Sequence, residues 1–157
     1  MNKIIFAERS SIEFVEEGNA LAPKFNSEGI IPVIVTETKS DLVLMLGYMN
    51  KEALERTIIS REAHYWSRSR ETLWKKGESS GMVHKVDEIL IDDDQDSVWL
   101  RVSIDGLGAS CHVGYKSCFY RSLNSVENGK VNLDFTESEK IFDPEKVYPG
   151  IENPTKL

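Results

Sequence analysis

Residues 31–48 of the chain read IPVIVTETKSDLVLMLGY. Two runs rich in apolar and β-branched residues, 31–38 and 42–48, flank the polar residues 39–41. Runs of this kind, separated by a short polar segment, are typical of two β-strands joined by a tight turn. We therefore predict a β-hairpin over this stretch.

A helix is predicted directly after the hairpin. Asn50 is a common N-cap residue, and within residues 51–59 the side chains of Leu54, Ile58 and Ile59 recur at helical spacing. Further strand-like runs, bounded by polar or glycine-containing segments, occupy residues 63–67, 82–91 and 97–104. Because the predicted strands outnumber the helices, the sequence indicates an α+β fold, mainly antiparallel sheet with few helices.

The C-terminal part differs in composition from the rest of the chain. From Asn124 onward it is polar and contains proline turns at residues 143–144, 148–150 and 153–154. We predict that residues 124–157 form an irregular or short-helical extension with a frayed end. Since no repeat or linker-like tract interrupts the sequence, we expect one domain over residues 1–157.

Charge and hydropathy narrow the possible partners. The 157 residues carry 26 acidic and 19 basic side chains, a formal charge of -7. This charge repels nucleic acid and anionic membranes at long range, although a local basic cluster can still bind a small anion. The sequence has no apolar stretch of signal-peptide or membrane-spanning length, which predicts a cytoplasmic protein.

The acidic cluster DDDQD directly follows an apolar run. On an extended chain alternate side chains share a face, so Asp92, Asp94 and Asp96 would project to one side. Asp93 and Gln95 would then project to the other. Three crowded carboxylates repel one another unless a cation such as Mg²⁺ binds them. A solvated acidic turn between two strands explains the same pattern equally well.

The chain has two cysteines, Cys111 and Cys118, and His112 follows the first. Two thiols across a glycine-containing loop can meet on one zinc ion, and a histidine beside them can act as a ligand, a general base or an orienting group. A catalytic zinc needs at least three protein ligands, so another donor must come from elsewhere in the chain or from a second subunit. Two buried thiols and a hydrogen-bonded loop histidine are the alternative interpretation.

Residues 64–81, HYWSRSRETLWKKGESSG, concentrate Arg, Lys, Ser and Gly. Charged side chains, hydroxyls and exposed backbone N–H groups are the donors that hold phosphate. Trp66 and Trp74 are available to pack against a flat ring. The segment therefore fits a clamp for a phosphate and a base, or else a basic hairpin whose tryptophans belong to the hydrophobic core.

Taken together and in this order, these segments resemble the phosphoribosyl-AMP cyclohydrolase family. That family has a Trp/Tyr-Ser-Arg-Ser run, a Leu-Trp-x-Lys-Gly-Glu-x-Ser-Gly motif, an Asp-Cys-Asp-x-Asp cluster, a Cys-His pair and a Ser-Cys-Phe triplet. The resemblance extends over about residues 30–122. Five motifs in the same order as in the family are a specific sign of that family. The matching segments are YWSRSR at 65–70, LWKKGESSG at 73–81, DDDQD at 92–96, CH at 111–112 and SCF at 117–119.

The resemblance implies an intertwined α+β homodimer with active sites at the subunit interface. It also implies a reaction, the hydrolytic opening of the adenine ring of 1-(5-phosphoribosyl)-AMP at the N1–C6 bond in histidine biosynthesis. The implied cofactors are Zn²⁺ and Mg²⁺, and the implied partners are the nucleotide substrate and a second subunit, with no nucleic acid and no membrane.

Carried over residue by residue, the resemblance also implies roles for side chains. The expected Mg²⁺ ligands are Asp92, Asp94 and Asp96. His112 is expected to move protons to or from the attacked carbon and the leaving nitrogen. The expected substrate contacts are Ser67, Arg68, Trp74, Lys76, Gly77 and Ser80.

One position departs from the family. Cys111 and Cys118 would bind Zn²⁺ with a third residue at position 93, often from across the interface, where the family usually has Cys and this chain has Asp93. Because a carboxylate can ligate zinc, Asp93 either substitutes as a ligand with an altered metal preference or leaves a compromised zinc site.

Two other functions compete with the cyclohydrolase interpretation. One is a divergent metal-dependent hydrolase acting on a related purine ribotide. The other is a non-catalytic nucleotide-binding homologue. The sequence after the matched region is too short for the phosphoribosyl-ATP pyrophosphatase domain sometimes fused to this family, so we expect a monofunctional protein.

Overall fold

The structure, a computed structural model, describes residues 3–157. The helices and strands of these residues follow one another along the chain. In order, they are α1 (Ile12–Glu17), β1 (Ile30–Glu37), β2 (Val43–Asn50), α2 (Lys51–Ser60), β3 (His64–Ser67), β4 (Thr72–Lys75), β5 (His84–Ile91), β6 (Val98–Ile104), β7 (Arg121–Glu127), β8 (Lys130–Phe135) and α3 (Pro144–Val147).

A four-stranded sheet forms the centre of the fold, with the strand order β2-β1-β6-β5. Antiparallel pairing joins β1 to β2 and β5 to β6, whereas β1 and β6 are parallel. The predicted hairpin is confirmed, with Val33 opposite Gly47. Mostly antiparallel strands and few helices confirm the α+β class.

Alternation along the central strands builds the core. Ile31, Val33 and Val35 of β1 are fully buried, whereas Ile34 between them is exposed on the opposite face. Fully burying each of these side chains stabilises the fold by roughly 1.5–3 kcal/mol. The buried positions of β6 alternate in the same way and are Val98, Leu100 and Val102.

The helix after the hairpin is also confirmed. The side chain of Asn50 caps α2 by accepting a hydrogen bond from the backbone N–H of Ala53 at 2.8 Å. Leu54 is buried in the core, and α2 packs against β2 and β3. The helix ends where Arg61 takes a left-handed conformation with φ of 57°. This packing fixes the start of β3, the strand that enters the basic segment.

Four elements, β4, α1, β7 and β8, were not among the predicted strands and helices. The basic segment contains β4, which pairs with β3 so that Trp74 lies opposite Tyr65. The first helix, α1, has six residues and was not predicted. Residues 121–135 form the hairpin of β7 and β8, so the prediction of an irregular or short-helical extension from residue 124 is wrong there. The signal was Asn128-Gly129, a typical two-residue hairpin turn in which both residues have positive φ.

The remainder of the extension fits the prediction better, since the short helix α3 is followed by a segment without regular structure. Pro144 begins α3, and the carboxylate of Asp143 accepts a hydrogen bond from the backbone N–H of Glu145 at 3.0 Å. Among residues 3–157, no helix combines the length and the hydrophobicity that crossing a bilayer requires.

Candidate metal and substrate site

The acidic cluster lies in the turn between β5 and β6. One carboxylate oxygen from each of Asp92, Asp94 and Asp96 lies within 4.8 Å of the others. The reason given for this convergence from the sequence is wrong, because residues 92–97 form a turn and not an extended strand. Gln95, with φ of 57°, reverses the chain and brings the carboxylates together.

Hydrogen bonds within the turn make its three carboxylates unequal. Although burial opposes ionisation, hydrogen bonds from Ser97 and Asp96 lower the pKa of Asp92. The pKa of Asp96 is raised by desolvation and by repulsion from Asp94 and Asp92. Oxygen donors that repel one another fit a hard divalent cation such as Mg²⁺, which would neutralise this repulsion.

Residues of the N-terminal segment form hydrogen bonds with this turn. The side chain of Gln95 is buried, where its Oε1 accepts a hydrogen bond from the backbone N–H of Ala22 at 2.7 Å. Its Nε2 donates to the carbonyl oxygen of Val15 at 3.0 Å. The guanidinium of Arg9 donates to the carbonyl oxygen of Asp94 at 2.8 Å. These contacts fix the backbone that presents the three carboxylates.

The loop after β6 brings the two cysteines together. The adjacent Cys118 thiol lowers the pKa of Cys111 despite the burial of Cys111. The backbone N–H of Val113 and the ammonium of Lys76 lower this pKa further. Its interaction with Cys111, together with burial, raises the pKa of Cys118. A thiolate beside a second thiol supplies two of the soft donors that Zn²⁺ prefers.

Asp93 is exposed on the acidic turn. Within residues 3–157, no carboxylate, imidazole or further thiol lies close enough to Cys111 and Cys118 to form a set of three metal ligands with them. The donor set of one chain therefore fits Zn²⁺ only when a further donor comes from outside it, for example from a second copy.

One cleft, of about 830 Å³, collects most of the remaining predicted residues. It lies between β4, the loop that follows it, the cysteine loop and the C-terminal extension. The predicted residues that line it are Trp74, Lys76, Gly77, Ser80, His112 and Cys118. Three separate sequence motifs thus contribute to a single cleft large enough for a nucleotide.

Lys76 and His112 are two of the titratable residues that line this cleft. The Nζ atom of Lys76 donates to the carbonyl oxygen of Ser110 at 2.5 Å, and burial lowers the pKa of its ammonium. Burial, followed by the nearby Lys76 charge, also lowers the pKa of His112. Within residues 3–157, His112 Nε2 is buried and has no hydrogen-bond partner. A lowered pKa favours the neutral imidazole, which can accept a proton.

Ser67 and Arg68 lie outside the residues that line this cleft. Ser67 Oγ accepts a hydrogen bond from Arg70 Nε at 3.2 Å. The guanidinium of Arg68 stacks over the ring of Tyr48, with 4.0 Å between its central carbon and the ring centroid. Of the arginines in this segment, the structure places Arg70 in the cleft lining.

His84 and the C-terminal extension were missed by sequence reasoning. His84 is completely buried, with Nδ1 3.2 Å from Tyr65 Oη and Nε2 3.2 Å from Ser110 Oγ. A histidine at a buried position of the strand pattern in β5 was the available signal. No comparable signal marked the extension residues that line the cleft, which include Lys140, Asp143, Tyr148, Glu152 and Asn153.

Comparison with known proteins gives a consistent result. The profile of the phosphoribosyl-AMP cyclohydrolase family matches residues 45–120. The phosphoribosyl-AMP cyclohydrolase of Rhodopseudomonas palustris strain BisB5 is 49% identical over 143 residues, 91% of this chain and 96% of that protein. The enzyme of Sinorhizobium fredii is 47% identical over 85% of this chain and 88% of its own, and that of Nitrobacter hamburgensis is 45% identical over 88% and 93%. Identity of this extent over nearly the whole chain shows that it belongs to the phosphoribosyl-AMP cyclohydrolase family.

Proposed function

We propose that this protein opens the adenine ring of phosphoribosyl-AMP by hydrolysis at the N1–C6 bond, using bound Zn²⁺ and Mg²⁺ and residues from two subunits. The reaction class follows from membership of the family. The observation that carries the assignment to this site is the meeting of Trp74, Lys76, His112 and Cys118 in one cleft.

In this proposal, the purine ring and the phosphate of the substrate bind different residues of the cleft. The indole of Trp74 offers a flat apolar surface for the purine, since aromatic side chains stack on bases of any sequence. Lys76 and Arg70 supply positive charge, and the loop of Gly77 and Ser80 supplies backbone N–H and hydroxyl donors. Ser67 and Arg68 remain proposed substrate contacts, which would require movement of the β3–β4 turn or the second subunit.

His112 is the proposed proton carrier. Its neutral imidazole, with Nε2 unpaired, can accept a proton from the attacking water and return it to the leaving ring nitrogen. A zinc ion held by Cys111 and Cys118 would supply the activated water by lowering its pKa. The role left to Lys76 is to bind the anionic substrate beside these groups.

The Mg²⁺ ligands we propose are Asp92, Asp94 and Asp96, because their oxygens converge and repel one another. For zinc, the third ligand we propose is Asp93 of a second copy, since one chain supplies only two close donors. A carboxylate among thiolates would weaken the preference for zinc relative to three thiolates.

A homodimer is supported by the surface of the chain. Both faces of the β7–β8 hairpin are exposed, and an isolated two-stranded hairpin is marginally stable in water. Its apolar side chains are exposed to water, and contiguous exposed apolar surface marks interaction sites. The exposed apolar residues of this hairpin are Leu123, Val126, Val131, Leu133 and Phe135. We further propose that residues 1–157 form a single domain that acts in the cytoplasm.

The test is to purify the protein, measure its bound metals, and follow phosphoribosyl-AMP by ultraviolet absorbance as the ring opens. Turnover that is lost with chelator and restored by Zn²⁺ and Mg²⁺ together is the expected result. Asp93→Cys should retain turnover and increase the preference for zinc over other divalent metals. Tight binding of the nucleotide without turnover under every metal condition would favour a non-catalytic homologue, and turnover of a different purine ribotide would indicate a divergent hydrolase.

A further inference from the structure

We propose that Glu137 is a positioning residue for the cysteine loop, residues 110–118, because its carboxylate fixes the backbone that carries Cys111 and Cys118. The inference rests on the function proposed above, in which these two cysteines bind zinc. Glu137 lies outside the five sequence motifs and beyond residues 45–120, the region that the family profile matches.

The cysteine loop folds back on itself through backbone hydrogen bonds. The N–H group of Ser110 donates to the carbonyl oxygen of Lys116 at 2.8 Å, and that of Cys111 donates to the carbonyl oxygen of Tyr115 at 3.1 Å. These two bonds do not use the N–H groups of Lys116 and Ser117. Since a backbone donor away from water needs a partner, these two N–H groups require acceptors from outside the loop.

Glu137 supplies both acceptors. One carboxylate oxygen accepts a hydrogen bond from the backbone N–H of Lys116 at 2.8 Å, and the other accepts one from the backbone N–H of Ser117 at 3.0 Å. Hydrogen bonds to an ionised carboxylate are stronger than those between neutral groups. Because each oxygen binds a different N–H group, the carboxylate fixes the orientation of the backbone just before Cys118.

Strand β2 holds the same part of the loop. The backbone N–H of Cys118 donates to the carbonyl oxygen of Leu44 at 2.8 Å, and the hydroxyl of Ser117 donates to the carbonyl oxygen of Val43 at 2.7 Å. Val43 and Leu44 are the first two residues of β2, so these bonds attach the loop to the central sheet. The two bonds from Glu137 complete this attachment directly before Cys118.

The chain after Glu137 packs closely against the loop. The backbone N–H of Ile141 donates to the carbonyl oxygen of Gly114 at 2.7 Å, and Phe142 is buried. A side chain at Gly114 would place its Cβ 2.3 Å from the carbonyl oxygen of Phe142. This approach therefore depends on a residue without a side chain, and it keeps Glu137 beside the loop.

Zinc affinity of the full-length protein tests this role. Glu137→Ala removes both acceptors, whereas Glu137→Gln keeps one because an amide has a single oxygen. Glu139→Gln is the matched control, in which an exposed carboxylate two residues away is replaced. Loss of a group that orients metal ligands typically weakens metal binding about 10–100-fold. Competition with a chromophoric chelator should show this loss in Glu137→Ala, a smaller loss in Glu137→Gln and none in Glu139→Gln.

A role of Glu137 in folding alone predicts a different result. It would lower the urea midpoint of the Glu137 variants and leave the zinc affinity of the folded protein unchanged. An unchanged zinc affinity in both variants would therefore overturn the inference. If Glu137→Ala does not fold, the affinity of Glu137→Gln decides.

Hydrogen exchange in the metal-free protein separates this inference from the proposed function. The amide hydrogens of Lys116 and Ser117 should exchange about tenfold faster in the Glu137 variants than in Glu139→Gln, because their charge-assisted bonds are lost or weakened. Equal exchange rates would overturn the inference. If the unaltered protein binds no zinc, the proposed metal site fails, and the exchange rates alone decide whether Glu137 positions the loop. Zinc binding without turnover would contradict only the proposed function.

Discussion

His84 Nε2 lies 3.2 Å from Ser110 Oγ in the interior of the protein, which connects β5 to the residue just before Cys111. On its other side, Nδ1 of the same ring lies 3.2 Å from Tyr65 Oη. All three side chains are buried. One imidazole therefore satisfies two buried hydroxyls, and it links the core of the sheet to the loop that carries the thiols.

Replacing His84 should destabilise the fold through these hydroxyls. His84→Leu leaves the hydroxyls of Tyr65 and Ser110 without this partner, and each unpaired buried group costs about 1–3 kcal/mol. His84→Gln can still bond to both and should cost less. Urea unfolding of the two variants measures the difference, and equal free energies of unfolding would contradict the assigned role.

The same residue should make stability depend on pH. Burial, with the nearby Lys76 charge, lowers the pKa of His84 to about 3. In the unfolded chain its pKa is about 6.5, so below that pH the unfolded state binds one proton more than the native state. Stability should therefore fall as pH decreases from about 6.5 towards 3, by up to about 1.4 kcal/mol per pH unit from this residue. Unfolding titrations should show a shallower dependence for His84→Gln; identical slopes would exclude His84 as the cause.

Gly77 should be far less tolerant of substitution than Gly81. Both have positive φ, 83° and 76°, so alanine is strained at either position. A Cβ at Gly77 would also lie 2.3 Å from the backbone of Met82 and Val83, whereas one at Gly81 meets nothing within 4 Å. We expect Gly77→Ala to lower the free energy of unfolding by at least about 1 kcal/mol more than Gly81→Ala. Thermal unfolding of the two variants checks this difference. Equal losses of stability would mean that the strained φ angle accounts for the whole effect.

A substitution of Asp94 should weaken metal binding in the acidic turn without affecting folding. Asp92 accepts hydrogen bonds from Asp96 and Ser97, so Asp92→Asn should impair both the turn and the cation site. Asp94 contributes an oxygen to the cluster and has no such bonds from its side chain among the contacts of residues 3–157. Calorimetry with Mn²⁺ as a probe should show weaker binding in Asp94→Asn while its urea midpoint is unchanged. Undiminished Mn²⁺ affinity would remove Asp94 from the proposed ligand set.

Cys118 provides the corresponding test for zinc. Cys118→Ala removes one of the two close sulfur donors, and two protein ligands at most then remain even when Asp93 of a second copy contributes. Bound zinc, measured by elemental analysis, and turnover should disappear together. A variant that keeps both would show that Cys118 is not part of the metal site.

Local patterns in the sequence were sufficient for the central part of the fold. The two apolar runs in residues 31–48, separated by a short polar segment, predicted the β1–β2 hairpin, and Asn50 with the spacing of Leu54 and Ile58 predicted α2. These features depend on interactions between residues close in the chain, whose periods can be counted. The motifs of residues 64–81 and 111–118 likewise indicated the chemistry, because residue types alone specify which donors are present.

Tertiary structure decided how those groups meet. The carboxylates of the acidic cluster converge because Gln95 turns the chain and is held by Ala22 and Val15, more than seventy residues away in sequence. The C-terminal residues that line the cleft, and the buried link from His84 to Ser110, likewise join segments far apart in the chain. Residue types and local periodicity determined which chemistry the protein can perform. Long-range packing determined which groups meet, because such contacts leave no period in the sequence.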